Sequence, residues 1–330
     1  MQEKIKRIFK KVIQITIILF VTATLFELVY RWYLIDFYKN SFCYLNNEKD
    51  LKAEKVDYLF FGDSFSAAKD SYVDFIKKDF SKSKVVNFSV SGIGIKQVNL
   101  YAKRKIEKYN PDIIIYQVYV GNDLIDIQNL SNWSRLSFMR NGYWFTSDYY
   151  LSLRYLNQNL SFFRTKNFNT DLHLDHSFSI ESYNMREKML FVADASYLEK
   201  TINIEADFKM RYDKWKKELT AFLQSISQDK KVFIVFIPHC SQLNPFYYNN
   251  MKQIGAHFNS FNAISELNYP FFDKAQKDFN NYPNVTFLNP LAYLRARDHT
   301  NYRLFYENDP HFNLNGHYEL AQFLSKEITK

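Results

Sequence analysis

The apolar run in VDYLFFGDSFSAAKD (56–70) ends abruptly on Gly62-Asp63-Ser64. A serine hydroxyl is a poor nucleophile unless a neighbouring base takes its proton. A candidate base lies far along the chain in YENDPHFNLNGH (306–317), where Asp309 and His311 stand two residues apart. His311 would accept the Ser64 proton, and Asp309 would hold the ring in the right tautomer. The tetrahedral intermediate would carry an oxyanion that needs donors already in place. The backbone N–H groups of Ser64 and Gly92 and the side-chain amide of Asn122 are the candidates for that role. Alone, Gly62-Asp63-Ser64 reads as an Asx turn with a helix cap, and His311 as a loop or helix-start residue.

Their places between the regular elements add weight. VDYLFF (56–61), KVVNFSV (84–90), DIIIYQVYV (112–120), KVFIVFIP (231–238) and NVTFLNP (284–290) read as strands. The segments 71–80, 96–109, 207–226 and 315–328 have helical spacing, and the second ends at Asn110-Pro111. Strands alternating with helices predict a parallel sheet with right-handed crossovers. In such sheets ligands gather at the carboxyl ends of the strands. Gly62-Asp63-Ser64 follows the first strand, NFSVSGIG the second, Gly121-Asn122-Asp123 the third, and 306–317 the last. The chain has seven glycines, against roughly 23 at an average usage of about 7%. Five of them (Gly62, Gly92, Gly94, Gly121 and Gly316) lie in these four stretches, where backbone must turn tightly or approach something closely. Asp63 and Asp123 are read as loop braces that accept backbone N–H bonds, and His317 as structural.

These four blocks resemble the SGNH/GDSL hydrolase superfamily, whose name-giving residues fall here on Ser64, Gly92, Asn122 and His311. The resemblance covers roughly 55–125 and 284–328. It implies a flavodoxin-like three-layer α/β/α fold with a five-stranded parallel sheet of order 2-1-3-4-5. It also implies hydrolysis or transfer of ester-linked acyl groups, with no metal and no cofactor. Two departures stand out. The position three before His311, where the family usually carries Asp, is Asn308, so Asp309 is assigned as the acid. That Asp-x-His spacing resembles members acting on extracellular polysaccharides. The third block usually reads G-x-N-D, but Val120 stands at its first position. Asp298-His299 is the alternative acid–base pair. The G-x-S-x-G elbow of α/β-hydrolases is absent, since Ser66 stands where its second Gly would be.

The remaining segments set the context. Residues 1–33 carry six basic and two acidic side chains, half of the net charge of +8. The other 297 residues therefore carry too little positive charge to argue for nucleic acid. KIKRIFKK precedes an uncharged stretch from Val12 to Phe26, and Tyr30, Trp32 and Tyr33 follow as an aromatic edge. Basic flank, apolar span and aromatic edge predict an uncleaved single-pass anchor with a cytoplasmic N-terminus. A cleaved signal peptide is the rival. The expected organisation is an anchor at 1–33, a connector at 34–54, and a catalytic domain at 55–330 with an irregular insertion at about 125–205. Trp133 and Trp144 in that insertion are candidate sugar-stacking residues, with burial the competing reading. His173, Asp175 and His176 are too few for a metal site, and Cys43 and Cys240 read as two reduced thiols or as a disulfide. The expectation is an extracytoplasmic serine esterase or O-acyltransferase acting on an acylated, most simply acetylated, cell-surface glycan within cell-envelope polysaccharide machinery. A non-catalytic glycan-binding component or a lipase-like enzyme on membrane lipid are the alternatives.

Overall fold

The computed structural model describes residues 2–37, 55–160 and 177–329. Cys43 and the group His173, Asp175 and His176 lie outside them. Five strands form one parallel sheet: β1 (Tyr58–Phe61), β2 (Val85–Asn87), β3 (Ile113–Tyr119), β4 (Lys231–Ile237) and β5 (Val285–Leu288). Their order is 2-1-3-4-5, so the chain reverses its direction of progress between β1 and β3. The register there runs from Tyr58 opposite Ile113 to Phe61 opposite Tyr116.

The helices used below are α1 (Gln2–Trp32), α2 (Ser64–Ala67), α3 (Tyr72–Asp79), α4 (Ile95–Tyr109), α5 (Asp123–Ile127), α6 (Phe138–Ser147), α7 (Ser152–Leu160), α8 (Met185–Ala193), α9 (Tyr197–Asn203) and α10 (Phe208–Gln224). A final helix spans Leu314–Glu327. Successive strand residues face opposite sides of a sheet, and β1 shows the two outer layers directly. Phe60 meets Tyr72 of α3, while Phe61 meets Tyr101 of α4 and Phe222 of α10. β3 is buried from Ile114 to Tyr119, which is why its sequence is apolar without alternation. β2 is shorter than the expected 84–90. At its end Asn87 accepts from Ser89 N at 3.0 Å and donates Nδ2 to the Ser66 carbonyl at 2.8 Å, which bends the chain toward the nucleophile turn.

Helix α1 is long and apolar enough to cross a membrane, and most of its large apolar side chains are exposed. Its last turns pack against the domain. The Glu27 carboxylate accepts the N–H groups of Leu151 and Ser152 at 3.0 and 2.8 Å, at the start of α7. A carboxylate there satisfies orphan donors and complements the helix dipole. Tyr30 is buried against Tyr155, so it leaves the aromatic edge expected of it; Trp32 and Tyr33 are exposed.

Candidate active site

The site is built from the loops after β1, β2 and β3 and from the segment that leads into the final helix, which a short helix, Leu291–Arg295, separates from β5. Ser64 opens α2, whose cap is Asp63: its Oδ1 accepts from Phe65 N at 3.0 Å. Gly62 is required by close approach, because a Cβ there would lie 2.5 Å from Ser66 Oγ and 2.6 Å from Gln117 Oε1. Gln117, on β3, braces the turn by accepting from Asp63 N at 3.0 Å and Ser66 Oγ at 3.1 Å.

Ser64 Oγ lies 2.8 Å from His311 Nε2. On the other side of the ring, His311 Nδ1 makes a short contact with Asp309 Oδ1. Asp309 Oδ1 also accepts the backbone N–H of His311 at 2.9 Å, so one carboxylate holds both ring and main chain of the base. Phe65, the residue after Ser64, stacks on the His311 ring at 4.9 Å. The His311 side chain is 36% exposed and Asp309 is buried, so the base is reachable while its partner is not.

Electrostatics follow from that placement. Burial opposes the charge on the His311 ring, but the Asp309 carboxylate outweighs it and lifts its pKa above the ordinary 6.5. Burial likewise opposes the charge on Asp309, and the His311 ring with its hydrogen bonds brings its carboxyl below the usual range. Burial raises Asp63 and, together with the Asp63 charge, lifts Asp123 well above the usual range. Both brace loops: Asp123 Oδ2 accepts from Tyr119 N at 2.6 Å.

The oxyanion candidates sit on the same rim. Gly92 follows β2 with φ 73°, a left-handed conformation that favours glycine. Asn122 follows β3 and is largely buried; one Nδ2 hydrogen goes to Asp63 Oδ2 at 3.3 Å, which leaves the other to donate elsewhere. A base, an oriented ring and a serine at the end of a strand can together perform acyl transfer.

Other expected residues are placed differently. Trp144 is corrected: it is 5% exposed, packed in the core with Arg140 over its ring at 5.7 Å, and offers no face to a sugar. Trp133 is 55% exposed and touches Phe138 at 5.6 Å. Asp298 is held by Tyr247 Oη at 2.8 Å, Leu304 N at 3.0 Å and Arg303 at 3.0 Å, so it closes a loop instead of pairing with a base. Asn308 is buried and accepts from Ser179 N at 2.8 Å, a structural role at the position where the family usually carries Asp. His317 accepts from Tyr72 N through Nδ1 at 3.3 Å, and burial lowers its pKa to about 3. Cys240 is buried, and burial pushes its thiol well up.

The 125–205 segment contributes to the site in a way its sequence does not announce. Asn184 donates Nδ2 to Asp309 Oδ2 at 2.6 Å, and its backbone N–H bonds to the Asn308 carbonyl at 2.9 Å. Asp126, one turn after Asn122, accepts from Arg154 of α7 at 2.8 Å and from Arg186 of α8 at 3.1 Å. The insertion therefore clasps both the acid and the Asn122 loop. Gln117 had a signal, a lone amide inside an apolar strand; Asn184 had none.

No protein-family model and no curated protein matches the chain. Among solved structures it is similar to the acetylxylan esterase Axe2 of Geobacillus stearothermophilus, at 12% identity over 85% of this chain and 97% of that one, with a TM-score of 0.40. It is also similar to the acetyl xylan esterase AlAXEase, at 14% identity over 83% of this chain and 100% of that one, with a TM-score of 0.40. A lipase, Lip_vut3 from a goat rumen metagenome, matches at 12% identity over 82% of this chain and 97% of that one, with a TM-score of 0.37. The strand order and flanking helices are those implied by the resemblance to SGNH/GDSL hydrolases.

Proposed function

We propose that this chain is a membrane-anchored serine esterase or O-acyltransferase of SGNH type that removes or transfers acyl groups on an extracytoplasmic glycan. The observation that carries the reading is the 2.8 Å approach of Ser64 Oγ to His311 Nε2, with Asp309 on the far side of the ring. Ser64 attacks the acyl carbonyl while its proton passes to His311 Nε2. The imidazolium is stabilised by Asp309, and the oxyanion faces the N–H groups of Ser64 and Gly92 and the Asn122 amide. Collapse of the intermediate expels the alcohol, which takes the proton from His311 and leaves acyl-Ser64. Water or an acceptor hydroxyl, deprotonated by His311, then releases the acyl group and restores the serine.

The glycan part of the proposal is supported by the membrane-length apolar helix, by the Asp309-Pro310-His311 spacing and by exposed Trp133. An aromatic face of that kind suits a sugar ring, and the anchor holds the domain close to an envelope substrate. The test is acetate release from an O-acetylated cell-envelope polysaccharide. The full chain is expected to release acetate, or to move it to an added acceptor glycan, and Ser64→Ala to do neither. Activity on a small ester without activity on any acetylated glycan would remove the glycan part and leave the serine chemistry standing.

A further inference from the structure

A cavity of about 480 Å³ lies beside the Asn122 loop, and no triad residue lines it. Its volume is in the range of small-ligand sites, roughly 300–1,000 Å³. Four cations line it, Lys96, Arg211, Lys214 and Lys217, against two carboxylates, Asp148 and Glu218. Both carboxylates are already engaged by amides. Asn129 donates its N and Nδ2 to Asp148 at 3.0 and 2.7 Å, and Asn99 Nδ2 donates to Glu218 Oε2 at 2.8 Å. Two of the three lysines are bonded to neutral acceptors: Lys96 Nζ to the Ile127 carbonyl at 2.7 Å, and Lys214 Nζ to Gln128 Oε1 at 2.8 Å.

Arg211 makes this a built site. Its side chain is 6% exposed, and its Nε meets Asp207 at 3.3 Å. Its Nη1 is buried with no hydrogen-bond partner among the described residues. The guanidinium lines the cavity and is held in place by its burial, so an anion there would gain a charge-assisted partner. Burial lowers the pKa of both Lys96 and Arg211, so a bound anion would also favour their charged forms.

The position of the cavity indicates where the anion comes from. Tyr149 lines the cavity, and its carbonyl accepts from Arg31 Nη2 of α1 at 3.2 Å. The apolar span ends just before, at Phe26. The two aromatic lining residues, Phe145 and Tyr149, are 53% and 64% exposed and touch each other at 5.5 Å. Exposed aromatic rings beside the end of a spanning helix mark the headgroup level of a bilayer.

We propose that this cavity binds the phosphate headgroup of an anionic lipid in the leaflet from which the domain emerges. The inference rests on α1 being a membrane anchor, as in the function proposed above, but not on the serine chemistry. A free phosphate ion offers the same chemistry, so the test separates the two sources.

The full chain is placed in nanodiscs of phosphatidylcholine with a minor share of phosphatidylglycerol, and lipids retained on release are counted by native mass spectrometry. The expected result is one phosphatidylglycerol retained in preference to phosphatidylcholine. Lys214→Ala/Lys217→Ala is expected to retain roughly tenfold less, with an unchanged melting midpoint in pure phosphatidylcholine. Equal retention by the double variant, or no preference for the anionic lipid, overturns the cavity assignment. Displacement of the lipid by millimolar inorganic phosphate overturns the lipid as the source. A chain that does not enter nanodiscs overturns the anchor reading, and with it the lipid source.

Discussion

At the scale of single residues, Asp309 tunes His311. The carboxylate raises the ring's pKa against the opposing effect of burial. Only the neutral ring accepts the Ser64 proton, so kcat/KM should rise with pH through an apparent pKa above 6.5. In Asp309→Asn the imidazolium loses its stabilising charge while burial remains. The acid limb should therefore move to lower pH as the plateau falls by about 10³–10⁴-fold. A pH–rate profile on a small ester measures both effects; an acid limb that stays put would mean Asp309 does not face the base in solution. Ser64, His311 and Asp309 were legible in the sequence because chemistry restricts their types, and Ser64 also because it closes a strand. Trp144 was misread because an aromatic side chain fits a core as readily as a sugar face. Only packing tells the two apart.

At the scale of elements, the sheet was legible and the clasp on the site was not. Hydrophobic runs such as DIIIYQVYV mark strands by burial on both faces, and all five strands formed inside the expected runs, with β2 cut short at Asn87. The 125–205 segment lacked that alternation and read as an insertion, yet it carries Asn184. A hydrogen bond to a buried carboxylate is worth about 1.5–3 kcal/mol, and such a bond from an asparagine in a separate segment leaves no sequence pattern. Asn184→Ala should lower kcat about 10- to 100-fold and leave KM for a small ester unchanged, as expected of a positioning residue. Asn184 also caps α8 through Oδ1, which accepts from Glu187 N at 3.2 Å. Asn184→Ser keeps a capping oxygen but cannot reach Asp309 with an amide. It should recover thermal stability relative to Asn184→Ala, about 1 kcal/mol, without recovering kcat. Recovery of both by serine would show that Asn184 serves the helix alone.

At the scale of the whole molecule, α1 and the domain are joined by packing as well as by the chain. Glu27 bonds two backbone N–H groups at the start of α7 and pairs with Arg31 at 2.7 Å. The sequence showed Glu27 only as an interruption after an apolar stretch, because the group it satisfies lies more than 120 residues away. Glu27→Ala leaves those donors buried without an acceptor and should destabilise the docked domain by about 1–3 kcal/mol. Thermal unfolding of the full chain in nanodiscs checks this, and an unchanged midpoint would mean the two parts are only tethered. Docking of this kind would fix the orientation of the domain relative to α1.

Covalent labelling with a fluorophosphonate asks whether His311 and Asp309 activate Ser64. Ser64 Oγ would form a P–O bond as fluoride leaves, with the serine proton taken by His311. Intact-mass and peptide mass spectrometry should find a single adduct on the peptide carrying Ser64. Ser64→Ala should take no label, and His311→Ala should label at least about 10²-fold more slowly. No adduct on the folded full chain, an adduct on another residue, or equal labelling of His311→Ala would contradict the account.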